Sequence, residues 1–237
     1  MRLNADLFLN TNQISADYRR IFIHILKETF KGSEYETLVL QDDLRLAKPY
    51  TFSIGFSKIV TITSEKIMFQ SPIYFDFSTP IHPMLSHLYN YLQVLEGKSV
   101  GPLRIDRVEL FLPVPRKVHS QIVTLRTVGH MVLPVKEEND YEEAIKFSLK
   151  VKRKVLQDFF NEYVTFSEGD LEDLRVLDVN LKSYLVKHYG GFVRTFRGTI
   201  TLSAPKNVLN FILESGLGIR TGQGFGTVKV VREWQDP

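Results

Sequence analysis

The chain reads Gly216-Leu217-Gly218-Ile219-Arg220-Thr221-Gly222-Gln223-Gly224-Phe225-Gly226 close to its end, between a helix-like run and a strand-like run. We name residues 216–226 the glycine-rich loop. Glycines at this density let the backbone adopt positive φ angles and let another chain approach closely. Successive backbone N–H groups can form an anion-binding nest, and Arg220, Thr221 and Gln223 add side-chain donors. The loop therefore predicts an anionic ligand that is polymeric or phosphorylated.

Two nucleotide-binding motifs with clustered glycines do not match this loop. The chain contains no G-x-x-x-x-G-K-S/T P-loop. A dinucleotide-binding fingerprint follows a strand and opens a helix, whereas the glycine-rich loop closes a helix and leads into a strand. An ordinary helix-to-strand turn remains the alternative to a ligand-binding loop.

Composition narrows the class of protein further. The 237 residues include no cysteine, which excludes disulfides, thiolate metal sites and cysteine nucleophiles. No apolar run approaches the ~18–20 residues that a membrane span needs, and the N-terminus lacks the pattern of a signal peptide. No histidine or carboxylate cluster has metal-ligand spacing. We therefore expect a cytoplasmic protein with no membrane partner, no metal and no cofactor.

Positive charge is concentrated in the second half of the chain. The net charge is only +3, yet no acidic residue lies between Asp178 and Glu214. The cations in that segment are Lys182, Lys187, Arg194, Arg197 and Lys206. Together with Arg220 they predict one basic surface for phosphates. A solvated sheet edge is the alternative interpretation.

The periodicity of apolar residues predicts the order β-α-β-β-α-β twice, which is the ferredoxin-like unit. The first set covers residues 3–9, 16–31, 50–63, 65–78, 83–95 and 103–112, and the second covers 121–133, 141–163, 176–189, 192–202, 205–214 and 227–231. We predict an α+β fold with two tandem ferredoxin-like (RRM-like) domains, at 1–115 and 116–237.

The first predicted helix carries a cationic stripe opposite its apolar face. Arg20, His24, Lys27 and Lys31 lie at i, i+4, i+7 and i+11. At 100° per residue these side chains share roughly a 60° arc. The stripe places a histidine between cations on one exposed surface.

Three segments of the chain resemble the CRISPR-associated RAMP proteins, in particular the endoribonucleases that cut CRISPR repeat RNA. The pattern G-Leu-G, five residues, G-Phe-G is similar to their C-terminal glycine-rich loop. Lys48-Pro49-Tyr50-Thr51-Phe52-Ser53 resembles the segment that opens their second strand, and Tyr189-Gly190-Gly191-Phe192 to Gly198-Thr199-Ile200 resembles the segment before their last helix. The resemblance covers essentially the whole chain and supports the tandem arrangement.

The resemblance implies metal-independent cleavage of CRISPR precursor RNA within its repeats. The 2′-hydroxyl attacks the adjacent phosphate and leaves a 2′,3′-cyclic phosphate and a 5′-hydroxyl. Implied partners are repeat RNA or crRNA, a CRISPR effector complex and a second copy of the chain. The residues expected to bind RNA are Lys187, Arg194, Arg197, Gly216, Gly218, Arg220, Thr221, Gly222, Gln223 and Gly224.

Such cleavage needs a general base, a general acid and cations that stabilise the phosphorane. In many relatives a histidine lies in the loop after the first helix, but here that loop holds Gln41, Asp42 and Asp43. In other branches a histidine lies on or near that helix, and His24 fits that position. Its alternative is an exposed histidine without a catalytic role.

The cations expected beside His24 are Lys27 and Arg20, one turn away on the same helix. Lys48 matches a lysine near the cleavage site of the resembling segment, and an exposed loop lysine is the alternative interpretation. His188 is the rival catalytic histidine. A non-catalytic RAMP subunit that binds repeat RNA or caps an effector complex is the alternative function, because the loop histidine is missing.

Overall fold

The computed structural model describes residues 1–40, 47–135 and 140–234. The pair Asp42-Asp43 lies outside these residues. Within the described ranges the chain forms two antiparallel sheets with helices packed on them, joined by the segment that follows residue 111.

The first sheet and its helices follow the alternation of apolar residues. In β1 the buried positions Leu3, Ala5, Leu7 and Leu9 alternate with partly exposed ones. The elements of this half are β1 (Arg2–Leu9), β2 (Gln13–Ser15), α1 (Arg19–Phe30), α2 (Glu36–Leu40), β3 (Thr51–Ile62), β4 (Lys66–Ser78), α3 (Pro83–Gln93), β5 (Ser99–Val100) and β6 (Leu103–Phe111). The short α2 lies within a segment expected to be a loop.

The second half repeats the pattern with longer hairpin strands. Its elements are β7 (Ile122–Thr127), α4 (Tyr141–Phe159), α5 (Gly169–Glu172), β8 (Arg175–His188), β9 (Gly191–Ser203), α6 (Lys206–Ser215) and β10 (Val228–Trp234). Short 3₁₀ helices cover Asn161–Tyr163 and Thr221–Gln223.

Both sheets have the strand order of a ferredoxin-like unit. In the first, β3 pairs β4, β4 pairs β1 and β1 pairs β6. The second runs β10-β7-β9-β8. Counting only the four strands of each β-α-β-β-α-β repeat, both orders are 4-1-3-2, and every pair is antiparallel. The prediction of an α+β fold with two tandem ferredoxin-like units is therefore confirmed.

The strand expected over residues 121–133 ends earlier than predicted. Gly129 has a φ of 82°, which turns the backbone out of the sheet after Thr127. Met131 and Val132 then form isolated bridges with Phe196 and Ile219. This detour brings the chain against the glycine-rich loop.

One continuous apolar core runs through both halves of the chain. Its members include Phe22, Phe75 and Phe77 from the first half and Leu149, Leu202 and Phe211 from the second. The predicted boundary between residues 115 and 116 falls in the segment between β6 and β7. Among the helices of the described ranges, none is both long and apolar enough to cross a bilayer.

Candidate functional site

The glycine-rich loop lies between the two sheets and is bonded to the start of β3. Thr51 Oγ1 donates to the Phe225 carbonyl at 2.9 Å and lies 2.9 Å from Thr227 Oγ1. Thr221 Oγ1 donates to the Lys48 carbonyl at 2.8 Å. All three threonines are buried. The loop is therefore part of the contact between the two domains.

The glycines of this loop are required by its own geometry. Gly218 and Gly226 have φ angles of 87° and 81°, and a Cβ on either would overlap a backbone carbonyl, that of Val132 or Leu217 respectively. A Cβ on Gly224 would lie 2.7 Å from the Phe52 ring. Side chains at these positions are strained whatever the ligand. The first role of these glycines is therefore to allow close packing between segments of the protein.

Most backbone N–H groups of the loop donate within the protein. The N–H groups of Gly216, Leu217, Ile219, Gln223, Gly224 and Gly226 bond to the carbonyls of Ile212, Gly226, Val132, Arg220, Thr221 and His130 respectively. The expectation that these N–H groups are bare and form an anion-binding nest is therefore wrong. Arg220 and Gln223 are the partly exposed side chains of the loop. An RNA contact of the loop therefore rests mainly on side chains.

A cluster of polar and aromatic residues closes the junction beside this loop. We name it the junction cluster, and its members are Asp17, Arg19, Arg20, His188, Tyr189 and Gln223. The Arg19 guanidinium is buried between the rings of Tyr18 and Phe225, 4.8 and 4.7 Å from their centres. Its Nε donates to the Gly224 carbonyl at 3.2 Å. Arg19 thus ties α1 to the glycine-rich loop.

His188 is at the centre of the junction cluster and is only 3% exposed. Its Nε2 lies 3.0 Å from Gln223 Oε1, and its Nδ1 lies 3.7 Å from Asp17 Oδ1. Burial lowers the pKa of His188, although Gln223 and Asp17 act in the opposite direction. Because so little of His188 is exposed, this rival catalytic histidine is a buried residue of the junction.

The cationic stripe of α1 lies where the sequence predicted it. Arg20, His24 and Lys31 are exposed, and Lys27 is half-buried. The Arg20 guanidinium lies 5.3 Å from the centre of the Tyr189 ring, which belongs to the turn between β8 and β9. The exposed face of α1 therefore begins at the junction cluster and continues to His24 one turn later.

Lys48 lies beneath the glycine-rich loop. It is 9% exposed, and its Nζ donates to the Val39 carbonyl at 2.5 Å. A Cβ on Gly222 would lie 2.8 Å from Lys48 Cδ, so the loop packs directly on this side chain. The interpretation of Lys48 as an exposed loop residue is wrong. Its role near a cleavage site stays a prediction.

The basic segment of the second half divides between two faces of the sheet. Lys182 pairs with Arg197, and Leu185 pairs with Arg194. Because side chains alternate along a strand, these pairs point to opposite faces. Arg197 and Lys182 share a face with His188, which we name the loop-side face. Arg194 and Lys187 lie on the opposite face, which we name the helix-side face. The prediction that these cations form a single basic surface is therefore wrong.

The loop-side face carries a cationic cavity that the sequence did not single out. The cavity has a volume of about 440 Å³ and includes Arg126, Lys182 and Arg197 in its lining. The rest of the lining is Thr127, Asn180, Tyr184, Gly198 and Thr199, with no carboxylate. Arg126 is brought there because it pairs with Thr199 across β7 and β9. This arrangement suits an anionic ligand with several charges.

His130 lies on the same side of the sheet but is held neutral. Its Nδ1 lies 2.9 Å from Thr195 Oγ1. Burial, with the nearby charges of Arg19 and Arg197, lowers the pKa of His130 to about 4. This histidine therefore adds no positive charge to the cavity at neutral pH.

Lys152 is a buried charged residue whose contacts the sequence did not reveal. It is completely buried, and its Nζ donates to the carbonyls of Ser215 and Gly216 at 3.1 and 2.5 Å. These carbonyls end α6 and begin the glycine-rich loop. Helix periodicity places Lys152 on α4 but shows nothing of this distant partner.

The fold and the site together define a class of protein: tandem ferredoxin-like units whose C-terminal glycine-rich loop is packed at their junction, beside a cationic face. Residues 120–230 match the family model described as CRISPR associated protein Cas6, C-terminal. The second half of the chain is thus similar to the C-terminal domain of Cas6, in agreement with the resemblance seen in the sequence.

Solved structures extend the likeness to the whole fold. A Cas6-related protein from Pyrococcus furiosus has a TM-score of 0.74 and 19% identity, with 99% of each chain covered. A RAMP protein binding different RNA substrates has a TM-score of 0.75 and 14% identity, covering 98% of this chain and 100% of that one. A Cas6 product complex gives 0.65 and 17%, covering 98% and 100%. A search of curated protein sequences finds no significant match.

Proposed function

We propose that the chain is an endoribonuclease that cleaves CRISPR precursor RNA within its repeats. The observation that carries the proposal is the match of residues 120–230 to the Cas6 C-terminal model, together with an exposed histidine, His24, that lies between cations on α1. The similar structures include a RAMP protein that binds RNA and a Cas6 product complex, which supports the same substrate class.

The proposed reaction is an intramolecular transesterification that needs no metal. A base takes the proton of a 2′-hydroxyl, whose oxygen attacks the adjacent phosphorus. The bond from phosphorus to the 5′-oxygen breaks, and an acid protonates that oxygen. The products are a 2′,3′-cyclic phosphate and a 5′-hydroxyl. His24 serves as the general base or acid, while Lys27 and Arg20 stabilise the charge on the phosphorane.

The proposed RNA path crosses the loop-side face. The cavity that contains Arg126, Lys182 and Arg197 contacts phosphates, and Arg220 of the glycine-rich loop adds a charge near His188. Phosphate contacts of this kind set affinity and register more than sequence specificity. Arg194 and Lys187 take part as well if the RNA passes around the β8–β9 hairpin.

Cleavage of a repeat RNA in the presence of a chelator tests the proposal. We expect cleavage to persist in excess EDTA and to stop when a single 2′-deoxy sugar replaces the ribose at the cut site. The 3′ end of the upstream product should carry a cyclic phosphate. Cleavage that requires a divalent cation, or that proceeds with the 2′-deoxy substrate, would contradict the mechanism.

A non-catalytic RAMP subunit is the second candidate function. The observation that favours it is the segment 41–46, which contains no histidine where many relatives of the resembling family have one. Such a subunit would bind repeat RNA or cap an effector complex. Tight binding of the uncleaved repeat without product over long incubation would establish this alternative.

The two faces of the β8–β9 hairpin should differ in their effect on the salt dependence of binding. Replacing both Lys182 and Arg197 with alanine should lower RNA affinity and flatten the slope of log K against log salt by about 0.7–0.9 per lost contact. The matched pair is Lys187→Ala with Arg194→Ala on the helix-side face. Titrations at several salt concentrations measure both slopes.

The outcomes of this comparison are distinct. A larger change in affinity and slope for the Lys182 and Arg197 pair supports the proposed RNA path across the loop-side face. Equal changes mean that RNA contacts both faces of the hairpin, as the sequence predicted for Arg194 and Arg197. If neither pair alters affinity or slope, these cations form only a solvated face.

A further inference from the structure

The turn between β8 and β9 places an aromatic residue in an unfavourable backbone conformation. His188 pairs with Gly191, so Tyr189 and Gly190 form a two-residue hairpin loop. Their φ angles are 50° and 77°, both positive. A two-residue hairpin loop with two positive φ angles is normally occupied by asparagine, aspartate or glycine. A tyrosine at the first position is therefore strained.

Burial of the ring does not account for this strain. Tyr189 remains 52% exposed. Its ring is nearly perpendicular to that of His188, with 4.7 Å between the ring centres, and its centre lies 5.3 Å from the Arg20 guanidinium. A small residue would fit the turn with less strain, and the hairpin pairing beyond it would be unchanged. The tyrosine adds to the turn a half-exposed ring with a cation against it.

The Tyr189 ring lies at the start of the cationic stripe of α1, and this position indicates what the ring could bind. Arg20 is the first residue of the stripe and touches Tyr189, and His24 follows one helical turn later, ~6 Å along the axis. A nucleotide whose base lies on the Tyr189 ring would therefore have its phosphates near the exposed face of α1. Aromatic rings bind unpaired bases by stacking, whatever the base.

We propose that Tyr189 is a stacking platform for one unpaired nucleobase of the RNA, and that it sets which phosphodiester lies against the face of α1 that carries His24. The inference rests on the proposed function, since it requires that the chain binds RNA. Arg20 supports the ring from the junction and is available to a phosphate of the same nucleotide.

Exchange of Tyr189 for asparagine separates this role from a structural one. Tyr189→Asn removes the ring but places a residue that tolerates positive φ at the turn. We expect the variant to melt at the same or a higher temperature than the wild type, because strain is relieved. Its affinity for uncleavable repeat RNA, made with a 2′-deoxy sugar at the cut site, should fall about 5- to 150-fold.

Two further variants serve as controls. Tyr189→Phe keeps the ring and should bind within about twofold of the wild type. Phe192→Ala removes a more exposed ring, 72% accessible, from the helix-side face of the same hairpin, and should alter affinity much less. Abasic substitutions along the repeat should reveal one position where loss of the base and Tyr189→Asn are not additive.

The cleavage products give a second readout. With cleavable RNA, Tyr189→Asn should cut at neighbouring phosphodiesters in addition to the wild-type position. Wild-type affinity together with an unchanged cut site in Tyr189→Asn would overturn the inference alone. A lower melting temperature with wild-type affinity would identify Tyr189 as a structural residue. Wild-type protein that binds no repeat RNA would overturn the proposed function and this inference together.

Discussion

Replacing His24 with alanine should slow cleavage of repeat RNA by about 10²–10⁴-fold, the usual cost of losing a general acid or base. The affinity for uncleavable RNA should stay nearly unchanged, because His24 is exposed on α1 and holds no part of the core. Single-turnover rates and binding titrations with uncleavable RNA measure the two effects.

His119→Ala is the matched control, because His119 is also exposed but lies in the segment between the two sheets. Its rate should equal that of the wild type. A His24→Ala protein that cleaves at the wild-type rate would move the chemistry elsewhere. Lys27 would then be tested before Lys48 and His188, which are both buried.

Replacing Lys152 with methionine should lower the free energy of unfolding by about 2–5 kcal/mol. The variant removes the Lys152 donor from the buried carbonyls of Ser215 and Gly216 at the end of α6, although the Ser215 hydroxyl, at 3.3 Å, still donates to the Gly216 carbonyl. Lys150→Met is the control, since Lys150 is exposed on the same helix and should change stability by about 0.5 kcal/mol or less. Urea denaturation midpoints measure the difference. Equal midpoints for the two variants would show that Lys152 contributes nothing.

The stability difference between wild type and Lys152→Met should also depend on pH. Burial lowers the pKa of Lys152 from 10.5 to about 7. Between these values the unfolded chain keeps the proton that the folded protein has released, so the stability of the wild type rises with pH in this window. The difference should therefore widen from pH 7 to pH 9. A constant difference would mean that the two carbonyls keep the lysine charged.

The order of elements was readable from the sequence because one face of each strand is buried. The alternation of Leu3, Ala5 and Leu7 fixes the face of β1, and the same logic locates the hairpin strands. The cationic stripe of α1 was equally accessible, because helical periodicity assigns Arg20 and His24 to one surface. Local periodicity carries this information without any knowledge of the tertiary fold.

The basic surface was mispredicted for a reason that the sequence contained. Arg194 and Arg197 are three residues apart, which places them together on a helix and apart on a strand. The segment had been assigned to strands, so the period of two should have separated them. Arg126 was missed because only the pairing of β7 with β9 brings it beside Arg197.

The roles of His188, Lys152 and the glycines depend on contacts between distant segments. His188 meets Asp17 across the junction, and Lys152 meets residues at the end of α6. The glycine-rich loop signals close approach, but the sequence does not show whether protein or ligand approaches. In the structure protein fills much of that space, because a Cβ on Gly224 would meet the Phe52 ring.

The packing of the glycine-rich loop against β3 also constrains how such proteins can be recombined. A chimera that joins this first domain to the second domain of a relative would bring together a loop and a strand that were not selected for each other. A loop with a side chain in place of Gly224 or Gly216 would collide with Phe52 or Thr51. Successful exchange should therefore transfer residues 48–52 and Arg19 along with the second domain. The positions at which the two parental sequences should be joined are then set by this contact and not by the segment between the two sheets.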